Sequence, residues 1–161
     1  MNILKMDFRA ILTIEATLIL SLISMGCVSR DPEIIVVPRD YSGCVFVVFD
    51  QENGATEEYQ GHSRIYRVPH SGMLLTQFAD NPGFSRSPRF YYDSIATENE
   101  ILYETDFKDI PLDSICACCG TAEKGYKDEK VVRFRRYFVG TKEQIVEASK
   151  NKNVNVLYFI K

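Results

Sequence analysis

The chain has 161 residues, 45% hydrophobic and 25% charged, a balance that suits a folded domain and is too apolar for general disorder. Lys and Arg total 19 against 22 Asp and Glu, a net charge of -3, so no basic excess exists to hold nucleic acid. The length accommodates one domain with a real core and excludes a multidomain enzyme or a polytopic membrane protein.

Residues 1–9 carry Lys5 and Arg9, and Ala10 to Gly26 is then almost wholly apolar. Asp7 and Glu15 are unusual there, because a charge is costly to insert into an apolar signal. The run closes on Ser24-Met25-Gly26-Cys27. Gly26-Cys27 resembles the lipobox of bacterial lipoproteins, although Ser24 and Met25 depart from its usual residues. The resemblance implies cleavage before Cys27 and attachment of a diacylglycerol to its thiol. An uncleaved N-terminal anchor with an incidental thiol, or a buried helix of the fold, are the competing readings. The chain divides accordingly into a signal at 1–26, a polar tether at 27–33 and a single domain at 34–161.

The domain reads as mainly β. Ile34 to Val37 is a β-branched run that stops at Pro38, the pattern of a first strand at a sheet edge. After Tyr41-Ser42-Gly43, residues Cys44 to Phe49 are apolar at every position, with Val45, Val47 and Phe49 on one face. A strand apolar on both faces is central and buried. Asn53-Gly54 is a hairpin dipeptide, because both residues tolerate positive φ. Short strands follow at 57–59, 63–68 and 73–77, in the rhythm of a sandwich or barrel. Arg89 to Tyr92 and Ile101 to Tyr103 read as further strands. Residues 106–130 show little periodicity and read as a long loop holding a cysteine cluster. Val131 to Val139 is a strand, with Val132, Phe134 and Phe138 on one face and Arg133, Arg135 and Tyr137 on the other. Thr141 to Gln144 is a capping box that opens a short C-terminal α-helix to about residue 150. Val154 to Ile160 closes the chain as a strand.

Pro38, Tyr41, Gly43, Val45, Val47, Gly54, Tyr66, Val68, Pro69 and Gly72 recur in a spacing that resembles bacterial lipoproteins with a prealbumin-like or carboxypeptidase-regulatory-like β-sandwich module. The resemblance implies an antiparallel β-sandwich and a non-enzymatic role: packing beside catalytic domains, joining surface proteins or binding a ligand. The matched positions are turn and core residues, so it brings no catalytic residue and no cofactor.

Cys116-Ala117-Cys118-Cys119 is the sharpest chemical signal. Three thiols this close could bind a soft metal, with His62 or His70 completing the site. With Cys27 lipidated, Cys44, Cys116, Cys118 and Cys119 are an even number in an oxidising compartment, which favours disulfides. A bond between the neighbours Cys118 and Cys119 reads as strained, so Cys44 joined to one of the cluster is the more natural pairing. Free thiols packed in the core are the third possibility. A Cys–His nucleophile would need a histidine beside a thiol, and both histidines fall in turns. Asp80, Asp93 and Glu98 to Glu100 show no spacing suited to acid–base work.

Arg133, Arg135, Arg136 and Tyr137 form a small basic stripe that would suit an anionic glycan or lipid headgroup. The plainer reading is an exposed strand face whose charges discourage edge pairing. Tyr91, Tyr92 and Tyr103 would suit a carbohydrate platform, or the core and rim of a sandwich. The chain is therefore expected to be an envelope lipoprotein at the outer membrane or cell surface, anchored in the membrane by lipid. Its domain would be a non-catalytic binding or scaffolding module that meets another envelope protein or a glycan. A small metal- or thiol-handling envelope protein using Cys116 to Cys119 is the alternative.

Overall fold

The computed structural model describes residues 30–83, 87–150 and 156. The signal read at 1–26 and Cys27 lie outside the described residues. Among the described residues, ten strands form two five-stranded sheets. The first sheet contains β1 (Glu33–Val37), β3 (Glu58–Gln60), β4 (Ser63–Arg67), β6 (Arg89–Tyr92) and β7 (Glu100–Ile101), in the order β3-β4-β1-β6-β7. The second contains β2 (Gly43–Val48), β5 (Met73–Leu75), β8 (Tyr103–Glu104), β9 (Cys116–Lys127) and β10 (Lys130–Gly140), in the order β5-β2-β10-β9-β8. An α-helix, α1 (Lys142–Lys150), follows β10.

The sheets share one core. Ile35, Val37, Tyr66 and Phe90 of the first pack with Val45, Val47, Ala117, Tyr137 and Val139 of the second. The expectation of an antiparallel arrangement is corrected by the pairing. β1 runs parallel to both β4 and β6, β2 parallel to β5, and β8 parallel to β9. The chain crosses from β1 straight to the other sheet, so β1 and β2 do not pair. The pairs β3–β4, β6–β7, β2–β10 and β9–β10 are antiparallel, so both sheets are mixed.

β1 is not an edge strand. It lies between β4 and β6, and all five of its residues are buried. Apolar residues on both faces demand that position, and Pro38 falls just after the last paired residue, Val37, so it removes no ladder bond. β2 is central, as its apolar run requires. Asn53-Gly54 does turn, with the Gly54 N–H donating to Gln51 O at 2.8 Å. It is a crossover rather than a hairpin, since β2 and β3 belong to different sheets. A Cβ at Gly54 would lie 2.7 Å from the Thr76 nitrogen, which only glycine avoids.

The loop read at 106–130 is half strand. β9 pairs with β10 along nearly its whole length, closing on a two-residue turn in which Asp128 and Glu129 both have positive φ. β9 bulges where Cys119 and Gly120 together oppose Tyr137, with Cys119 at φ 64. The capping box forms as expected: the Thr141 N–H donates to Gln144 Oε1 at 2.8 Å, and the Gln144 N–H to Thr141 Oγ1 at 3.4 Å. Of the closing strand read at 154–160, only Val156 is described, and it is buried with Phe46, Val48 and Phe134 on the outer face of the second sheet.

Candidate functional site

Glu33 stands where the chain enters β1, and it is 2% exposed. A buried carboxylate must be paired and hydrogen-bonded, and five groups converge on this one. Oε1 accepts from Tyr66 Oη at 3.2 Å, Asn81 Nδ2 at 3.1 Å and Arg135 Nη1 at 3.3 Å. Oε2 accepts from Arg135 Nη1 at 3.0 Å, from Tyr137 Oη at 3.4 Å and from Arg30 Nη2. Burial, and next the Glu33 charge, push the hydroxyl pKa of both Tyr66 and Tyr137 up, so both remain neutral donors.

Arg135 is the second half of this hub. Its Nη2 donates to Asn81 O at 2.6 Å and lies 3.6 Å from Asp80 Oδ1. The basic stripe expected on an exposed face is therefore corrected. β10 is internal to its sheet, and period-2 alternation turns Arg135 and Tyr137 inward, where Arg135 is buried. Arg133 is more exposed and lies near the same Asp80, and Arg136 pairs with Glu123.

Of the segment 27–33 read as a tether, the described residues are bonded to the domain. The Asp31 N–H donates to Asn81 Oδ1 at 3.1 Å, Asn81 Nδ2 donates to Asp31 O at 2.9 Å, and Arg64 Nε reaches Asp31 Oδ2 at 2.9 Å.

Beside the hub lies a cavity of about 200 Å³, lined by Arg30, Tyr103, Thr121, Arg135 and Tyr137, with Gly120 in its wall. Gly120 lets the wall close up, because a Cβ there would meet Tyr103 Oη and the Tyr137 ring at 2.8 Å. Arg30 Nε and Arg135 Nε are both buried and have no hydrogen-bond partner among the described residues. A buried donor left unmade costs about 1–3 kcal/mol, more when the group is charged. Sequence reasoning missed this cavity. The one signal in the sequence was the acid Glu33 abutting the apolar run 34–37, and nothing marked Arg135 out from Arg133 and Arg136 of the same strand.

The cysteines lie on the far face of the second sheet. All four described thiol positions, Cys44, Cys116, Cys118 and Cys119, border an apolar cluster with Ile110, Phe138 and Ile145 beneath α1. Cys118 and Cys119 are joined as a disulfide, while Cys44 and Cys116 are free. The preferred pairing of Cys44 with the cluster is prevented by β10. Phe138 stands opposite both Cys44 and Cys118, so those two are two strand spacings apart, roughly 10 Å, beyond the roughly 7 Å a disulfide spans. Burial pushes the Cys44 and Cys116 thiols up, the opposite of an activated nucleophile. His62 and His70 are exposed. Among the described residues, no group of three or more His, Cys, Asp and Glu side chains could hold a metal ion.

The tyrosine platform does not assemble. Tyr91 is buried, Tyr92 donates to Tyr41 O at 3.2 Å, and Tyr103 stacks on Phe90 with centroids 5.6 Å apart. Asp93 is tied to Arg39, whose hydrogen bonds hold its carboxyl below the usual range.

No helix of the described residues is long and apolar enough to cross a membrane. No curated protein matches the chain. The fold is similar to a crystal structure described as a "Putative Lipoprotein from Bacillus anthracis", with a TM-score of 0.53 and 14% identity over 70% of this chain and 71% of that one. At that identity the likeness speaks for the fold alone. The match to a sequence family is broader, running over residues 29–149: the chain belongs to the Family of unknown function (DUF6843).

Proposed function

We propose that this chain is an envelope lipoprotein, tethered by lipid on Cys27, whose β-domain is a non-catalytic binding or scaffolding module of the prealbumin-like sandwich type. The observation that carries this reading is a distance along the chain. Cys27 ends the apolar run, and Arg30, only three residues on, already donates to Glu33 in the core. A chain spans at most about 3.6 Å per residue, so a lipid on Cys27 would hold the domain within roughly 11 Å of the bilayer. The fold likeness to a protein described as a putative lipoprotein agrees with this. Raised thiol pKa values at Cys44 and Cys116 give the thiol-handling alternative no support. The test is Cys27→Ser with metabolic labelling by a fatty-acid analogue. The variant is expected to accumulate as an unprocessed, unlabelled precursor. Label incorporated as in the natural chain would overturn the reading.

A further inference from the structure

We propose that the cavity between Arg30 and Arg135 is a binding site for a small organic oxyanion, a carboxylate or phosphate carried on a body the size of one sugar ring. The charge balance of its lining points there. Two guanidiniums border the cavity, and none of the described residues lining it is acidic. Glu33 and Asp80 offset that charge from outside the lining, but both oxygens of Glu33 are already occupied by the five donors around it.

The donors left over face a need for an acceptor. Arg135 has a side chain only 7% exposed, yet its Nε is unpartnered, and the Nε of Arg30 is likewise buried and unpartnered. Guanidinium N–H groups match carboxylate and phosphate oxygens in geometry, and such charge-assisted bonds are the strong ones. The Arg135 guanidinium is already locked by Glu33 and Asn81, so an incoming anion would not have to order it. The remaining walls fit the body of the ligand. Tyr103 and Tyr137 offer aromatic surface, Pro88 and Ala122 small apolar surface, and about 200 Å³ suits one ring rather than a chain of them.

This site is independent of the lipid on Cys27. Its test uses the full-length chain in detergent at low salt, with glucuronate, glucose 6-phosphate and neutral glucose as probes, read by titration calorimetry. At least one of the two anions is expected to bind, and glucose is not; the anion that binds distinguishes a carboxylate ligand from a phosphate ligand. Raising NaCl should weaken the binding.

The variant that decides is Ala122→Glu. Ala122 pairs with Arg135 across the β9–β10 ladder and is exposed at the cavity mouth, so a carboxylate there meets Arg135 without disturbing the core. It should retain its melting temperature within a few degrees and lose anion binding by tenfold or more. Arg30→Gln should weaken the same binding without abolishing the fold. Anion affinity unchanged in Ala122→Glu, glucose bound as well as either anion, or no binding of either anion would overturn the proposal.

Discussion

Glu33 and Arg135 are 102 residues apart in sequence, and a single nitrogen of Arg135 donates to both oxygens of Glu33, at 3.0 and 3.3 Å. One residue belongs to the first sheet and the other to the second, so this pair is a polar rivet through an otherwise apolar core.

Breaking that rivet from one side should be severe. Removing one partner of a buried pair leaves the other charge uncompensated, at a cost of about 3–5 kcal/mol. Glu33→Ala and Arg135→Ala are each expected to lose this much in urea unfolding. The double change Glu33→Leu with Arg135→Met should recover part of the loss, because an apolar pair of similar volume removes the desolvation penalties of those two groups, while Arg30 still loses its acceptor. Single variants within about 1 kcal/mol of the natural chain would show that the pair contributes little.

Alkali should unfold the domain early. Tyr66 and Tyr137 have hydroxyl pKa values raised above 10.0 by burial and then by Glu33, and Tyr41 is pushed up to about 12 by burial. A raised folded pKa means that the folded state retains protons the unfolded chain has released. The stability these tyrosines contribute is therefore full below pH 10 and falls as pH rises through the folded values. The raised thiols of Cys44 and Cys116 act with the same sign from about pH 9. Urea midpoints measured from pH 8 to 11 should fall steadily above pH 9 to 10, and Tyr66→Phe should make the decline shallower. A flat profile would contradict the burial of these hydroxyls.

The cysteine pattern predicts a specific reactivity. Iodoacetamide without reductant should spare the buried Cys116 in the native domain and, in denaturant, should label Cys44 and Cys116 but not Cys118 or Cys119. Reduction should then expose the remaining two. A bond between neighbours closes almost no loop, so it restricts the unfolded chain far less than the long-range bridge expected from sequence. Reduction should accordingly shift the melting temperature by only a few degrees. Four cysteines labelled without reductant would refute the disulfide.

Helix α1 covers the cysteine face, and its start rests on two reciprocal hydrogen bonds between Thr141 and Gln144. Thr141→Ala should cost about 1 kcal/mol, the usual loss for an N-cap. Thermal melts of Thr141→Ala and Thr141→Ser check it, since serine retains the cap and should restore most of the loss.

Much of the fold could be read from local pattern. The run 44–49 had to be a central strand, because both of its faces are apolar, and Thr141 with Gln144 had to open a helix. β9 could not be read this way. Only its first residues are buried; Gly120 to Ala122 are exposed and Glu123 to Lys127 alternates half-buried with exposed positions, held by pairing to β10 rather than by a core. The inward turn of Arg135 was hidden for a different reason. Period-2 alternation divides β10 into two faces but does not say which is inside, and here both are covered: one by the first sheet, the other by residues such as Val156. Polarity then suggested the wrong side. Nothing local links Glu33 to Arg135, and the cavity between Arg30 and Arg135 depends on that link.

The placement of β1 has a mechanical side. A pull arriving from the N-terminus first meets the clamp on Glu33, and then runs lengthwise along a strand with ladders on both flanks. Force in that direction loads the hydrogen bonds of both ladders together, in shear, rather than opening them one after another like a zipper. A domain tethered to a moving surface at that end is gripped where it can resist most.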